Sequence, residues 1–189
     1  SDLNEDFIEE GNSNLNKAAL QIQKSVELLA KAASTGNVGL SEVLDSVLDT
    51  FADKIEALKD ETDTAKLKTS YLIDESMKEA SKDGSAVRQL TGKVITTSVT
   101  DEIKKVSDNI DTAFENMEQK SGESFEDLID KISILVEEQI NTLETAIEDD
   151  DLENIDSPEF TENDDSFTKT KADFVIIGLE KELSFLGVS

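Results

Sequence analysis

Apolar residues in this chain recur at alternating steps of three and four over long stretches that no proline interrupts. That spacing calls for helices that share buried seams. Ile8, Leu15, Ala19, Ile22, Val26, Leu29 and Ala33 form the first seam, with a gap at Gly11, and GNVG at 36 to 39 ends it. Ser41 is a candidate N-cap for a second helix, because its hydroxyl can accept from a first-turn N–H that lacks a helical partner. Leu44, Val47, Leu48, Phe51, Ile55 and Leu58 supply the stripe of that helix. The acidic DETDT at 60 to 64 weakens the pattern without a Gly or Pro to break it, and Leu67, Tyr71, Leu72 and Met77 carry it on. The expectation is one long helix reaching Gly84, with a kink.

Ser85 is placed to cap a third helix whose seam runs through Thr96, Val99, Ile103, Val106, Ile110, Ala113 and Met117, closed by Lys120, Ser121 and Gly122. Its basic residues, Arg88, Lys93, Lys104 and Lys105, make it nearly neutral and able to pair with acidic neighbours. In the fourth helix, Ser124 and Asp127 resemble a capping box, and Phe125, Ile129, Ile132, Val136, Leu143 and Ile147 line one face. A last helix, about Lys169 to Leu186, carries Ala172, Ile176, Leu179, Leu183 and Leu186 on a seam and Phe174, Val175, Ile177 and Phe185 elsewhere. No alternating run long enough for a strand competes with these segments.

The fold class that follows is all-α, an elongated antiparallel bundle of four to five long amphipathic helices with an acidic crossover before the last one. Helices of about 25 to 40 residues, at roughly 1.5 Å per residue, are rods of about 35 to 60 Å that pack with short loops. A chain of 189 residues suits one such domain. Residues 1–147 form a four-helix body, 148–167 an acidic connector, and 168–189 an apolar helix packing on the same bundle.

Charge and missing residue types restrict function. The formal net charge of −26 repels nucleic acids and anionic membrane surfaces, so no nucleic acid is expected as a partner. The apolar run FVIIGL at 174 to 179 falls far short of the roughly 20 residues that cross a bilayer. Histidine and cysteine are absent, which removes the nucleophile–imidazole arrangements, thiolate metal sites and the Glu-x-x-His pairs of di-iron bundles. No Walker-type or dinucleotide-binding glycine pattern occurs. An enzyme is not expected, and no catalytic residue, cofactor or metal site is assigned. The chain begins at Ser1, which fits a mature secreted protein or a trimmed piece, with a cytoplasmic location as the alternative.

The connector EDDDLENIDSPEFTENDDSF, residues 148–167, holds ten carboxylates, no Lys or Arg, and the single proline. As a calcium loop counted from Asp149 it fails, since Asn154 stands where glycine is needed and Phe160 where glutamate is needed. Its first reading is a crossover tacked onto the bundle by Phe160 and Phe167. Its second is a recognition segment in which Asp149, Asp150, Asp151 and Asp156 steer a basic protein surface and Phe160 and Phe167 supply burial. Three functions compete: a monomeric binding protein for such a surface, a carrier of lipid or another small apolar ligand, and a structural coiled coil. A carrier would line its site with Phe174, Ile176, Ile177, Leu179 and Leu183. In layout it resembles the exchangeable apolipoproteins of insects, which implies a helical bundle opening onto lipid.

Overall fold

The computed structural model describes residues 3–120, then 132, 134, 136, 137 and 140–147, with side chains described from residue 14 to 115 and at those later positions. Over these residues the chain is an all-α bundle, without a strand. Five helices are described in chain order: α1 Leu3–Ala33, α2 Leu40–Ala57, α3 Thr69–Ser81, α4 Ala86–Thr91 and α5 Thr97–Lys120. Residues 140–147 are helical as well.

The C-terminal half of α1 is the hub. It packs against α2, α3, α4 and α5, and Lys31 Nζ reaches Glu144 Oε2 at 2.8 Å. Gln21, Ser25, Val26, Leu28, Leu29, Ala30, Ala32 and Ala33 are all buried. At 100° per residue these positions cover an arc of about 200°, wider than a two-position seam, and the small Ala side chains let neighbouring backbones approach. From the opposite side α5 contributes Val99, Ile103, Val106, Ile110, Ala113 and Phe114, and Ile132, Val136, Ile140, Leu143 and Ile147 join the same core. A buried polar contact crosses the α1–α5 interface. The Gln21 side-chain amide donates to the Ser107 carbonyl at 2.9 Å and to Ser107 Oγ at 3.1 Å, which satisfies a group that burial would otherwise penalise.

Two helices expected to be continuous are broken, and local hydrogen bonds explain both breaks. The expected second helix divides into α2 and α3 around residues 58–68. Glu61 Oε1 accepts from the N–H groups of Thr62 and Asp63, and Asp63 Oδ1 accepts from Ala65 N–H, so side chains take the donors that a helix would use. The third helix also divides. Ser85 caps α4 as expected, accepting from Arg88 N–H at 3.1 Å, but Gly92 ends that helix in the left-handed region at φ 68°. Thr91 Oγ1 then accepts from Lys93 N–H, and α5 starts afresh at Thr97. The start of α2 differs too, with Gly39 at its N-cap and no side-chain cap, while Ser41 is exposed as the second residue of the helix.

Several expected seam residues face solvent: Leu15, Ala19, Leu48, Ile55, Leu67 and Thr96 are exposed. The basic residues of α4 and α5 pair as expected, Lys104 with Asp74 of α3, Lys105 with Glu102 and Arg88 with Asp83.

Replacing Leu29 with Ala should destabilise the bundle by about 2–5 kcal/mol in chemical denaturation, whereas Leu15→Ala should stay within about 0.5 kcal/mol. Gly92→Ala should cost about 1 kcal/mol through its backbone alone, since a Cβ there meets no atom within 4 Å.

Candidate interaction surface on the second helix

The core uses a narrow face of α2. Val43, Val47 and Phe51, spaced by four, are buried, and Leu44 packs partly against them. Once those positions point inward, helical geometry fixes the rest. Glu42, Asp45, Asp49, Asp53 and Glu56 lie about 120° to 180° around the helix from Val47, and all are exposed. Between that acidic face and the core runs an apolar shoulder about 60° to 100° from Val47, formed by Leu44, Leu48 and Ile55. Leu48 is 45% and Ile55 52% exposed.

The acids of α2 stand apart from most others in the bundle because cations have been drawn elsewhere. The one lysine of α2, Lys54, turns to Glu79 of α3. Lys59 reaches Glu56 at 3.2 Å, while Glu42, Asp45, Asp49 and Asp53 have no ion-pair partner among the described residues. They follow one another at three- and four-residue steps, so each faces a like charge one turn away. Such neighbours cost about 0.2–0.5 kcal/mol per pair, and only Glu42 gains from the positive end of the helix. The fold therefore gains little from this stripe.

A different electrostatic arrangement occupies the groove between α3 and the start of α5, which has a volume of about 290 Å³ and includes Asp74, Lys78, Lys82, Ile95, Asp101 and Lys104 in its lining. Its lysines are already neutralised. Lys78 Nζ lies 2.7 Å from Asp74 and 3.0 Å from Glu75, Lys82 pairs with Glu79 at 3.4 Å, and Lys104 lies 3.4 Å from Asp74. The hydrogen bond from Lys78, helped by the charge of Lys104, holds the Asp74 carboxyl below the usual carboxylate range, against a smaller opposing effect of burial. Glu79 is lowered chiefly by Lys82, and Glu61 chiefly by the Asp63 N–H and then by Lys66. The Lys78 ammonium is correspondingly raised by Asp74 and Glu75. A groove so compensated offers a free anion no bare cation.

Among the described residues no helix is long and apolar enough to cross a membrane, and no group of three or more Asp, Glu, His or Cys side chains is placed to hold a metal ion. The residues singled out from sequence, Asp149, Asp150, Asp151, Asp156, Phe160 and Phe167 together with Phe174, Ile176, Ile177, Leu179 and Leu183, lie outside the described residues. The α2 face went unnoticed in sequence because Leu44, Leu48 and Ile55 read as core. The three- and four-residue steps of the acids from 42 to 56 were the available signal.

Because the folded Asp74 carboxyl sits below its unfolded value, its pairs stabilise the bundle above about pH 4 and are lost as pH falls through the folded value. Asp74→Asn should cost up to about 1 kcal/mol at neutral pH, the range for partly exposed pairs, with the difference from the parent chain vanishing in acid. Denaturation midpoints measured from neutral pH to about pH 2 check this.

The chain matches no protein-family model, no curated protein and no solved structure.

Proposed function

We propose that this chain is a non-enzymatic binding protein that engages a macromolecular partner with a basic surface, and that the acidic face of α2 is its principal contact on the bundle. The supporting observation is the run Glu42, Asp45, Asp49 and Asp53, exposed on one helix face and without a cation among the described residues. Uncompensated charge on a rigid helix costs its own fold a little and attracts an oppositely charged surface over distances set by ionic strength. The ten carboxylates of residues 148–166 add to the same field and are proposed as a second steering element, with Phe160 and Phe167 supplying apolar anchorage.

A direct test compares two variants of equal charge. Asp45→Asn, Asp49→Asn and Asp53→Asn together remove three of the five acids of the α2 face, whereas Asp60→Asn, Asp101→Asn and Glu115→Gln neutralise three exposed acids elsewhere. Binding of a lysine-rich helical peptide is measured at about 0.01 M and about 0.15 M ionic strength, where the screening length falls from about 30 to about 8 Å. The α2 variant should bind at least about ten-fold more weakly than the control, lose part of the salt dependence, and unfold no more readily than the parent chain. Equal affinities for the two variants, or an affinity indifferent to salt, would remove the reading.

A further inference from the structure

The connection between α2 and α3 contains nothing that forbids a helix. Residues 58–68, LKDETDTAKLK, include neither Gly nor Pro. Continued at 100° per residue through that stretch, a single helix would bring the buried faces of α2 and α3 into line. Leu72 and Ser76 would lie within about 20° of Val47, Ile73 and Ala80 within about 80°, and Met77 at about 120°. Leu58 and Ala65 of the connection fall within about 20° of the same line, and Leu67 falls on the far side. What folds the chain back is the turn itself. Lys54 and Glu79, which a continuous helix would set about 37 Å apart, meet at 3.4 Å. Glu61 accepts from the Thr62 and Asp63 N–H groups, Asp63 accepts from Ala65 N–H, and Lys66 lies 3.0 Å from Glu61. The backbone bonds of the turn, from Glu61 N–H to the Leu58 carbonyl and from Lys66 N–H to the Asp63 carbonyl, are of a kind that a helix replaces without loss.

We infer that residues 58–68 are a hinge with two states: the turn, locked by Glu61 and Asp63, and a continuous helix from Leu40 to Ser81 that exchanges α1 and α2 with a second copy of the chain. The second copy follows from what straightening exposes. An open hinge carries α3 away from α1 and α2 and uncovers Val47, Phe51, Ile73 and Met77 together. Only another copy opened in the same way presents the surface that matches them residue for residue. The exchanged dimer restores every described contact between α1–α2 and the later helices, including the Gln21–Ser107 hydrogen bonds and the Lys54–Glu79 pair. The two states therefore differ at the hinge and in the cost of bringing two chains together. Glu61 and Asp63 decide the balance, because an aligned helix becomes the better local structure once they release the backbone donors. The net charge of −26 on each chain adds a repulsion that also favours the monomer and weakens with salt.

Thr64 supplies the decisive variant. The bond from Lys66 N–H to the Asp63 carbonyl closes a four-residue turn with Thr64 in its second position, where proline fits, whereas proline inside a continuous helix breaks it. Sedimentation equilibrium of the full chain at about 0.15 M ionic strength reads the outcome. The parent chain should be a monomer. Glu61→Ala with Asp63→Ala removes three hydrogen bonds per hinge, about ten-fold in equilibrium, and a dimer has two hinges. Its dimer dissociation constant should therefore lie at least about 100-fold below that of the equally charged control, Glu42→Ala with Asp49→Ala. Its far-ultraviolet helix signal should grow by the share of residues 58–68. Adding Thr64→Pro to the double variant should return the monomer. Should the double variant lose its fold, Glu61→Gln is measured in the same way. It keeps the shape of the side chain and removes its charge, so it should give a smaller gain in dimer that Thr64→Pro again reverses. The inference is overturned if these hinge variants stay monomeric, if the parent chain or the control dimerises as strongly, or if the dimers persist after Thr64→Pro.

Discussion

Burial of the α1 stretch from Gln21 to Ala33 is the constraint on which the bundle rests. A helix that hides about 200° of its circumference must be enclosed from several directions, and α2, α3, α4 and α5 each supply a wall. The small side chains at 30, 32 and 33 permit that crowding, and the Gln21–Ser107 hydrogen bonds fix how α1 and α5 are set against each other. Sliding α1 along α5 would strand the Gln21 amide in an apolar interior, a larger penalty than a net hydrogen bond normally contributes. The polar pair thus selects one arrangement among several that apolar packing alone would tolerate.

The enclosure also bears on why α2, α3 and α4 are shorter than α1 and α5. Walls around a central rod must turn at its ends, and this chain turns by local chemistry instead of by proline. Glu61 and Asp63 capture backbone donors between α2 and α3, Ser85 holds the first turn of α4, and Gly92 reverses the backbone after it. Each device acts within a few residues, so each survives whatever the rest of the chain does. Packing on α1 then decides which side of every short helix faces inward.

Apolar periodicity made the all-α class, the inner half of α1, the α5 seam from Val99 to Ala113 and the Ser85 cap legible in sequence. It showed the break at 58–68 only as a kink in a continuous helix and missed the one at 92–96, because spacing records where apolar side chains fall and is blind to a carboxylate that competes for backbone N–H groups. Gly92 was a visible signal that the regular seam beyond it obscured. Periodicity also overstated α2, where six apolar residues at helical spacing read as core although the bundle buries Val47 and Phe51 of that stripe, together with Val43. Which shoulder of a helix is covered depends on the positions of its neighbours, and a single helix's sequence does not hold that information. The connector and last segment, 148–189, lie outside the described residues, so expectations about them stand as expectations.

The narrowness of the buried face on α2 and the charge of its outer face have a common origin. A helix that touches the core through Val43, Val47 and Phe51 exposes most of its circumference, and the sequence fills the far side almost wholly with acids. Elsewhere in the bundle it is half-buried acids that find lysines one turn away or on the next helix, as Asp74 does with Lys78 and Lys104. On α2 the single lysine is committed to α3, so the repulsion along Glu42, Asp45, Asp49 and Asp53 is left in place. A bundle anchored by complete burial at α1 tolerates about 1 kcal/mol of such repulsion at its periphery. Stability concentrated in one enclosed helix is what leaves an outer helix free to carry charge that the fold itself does not need.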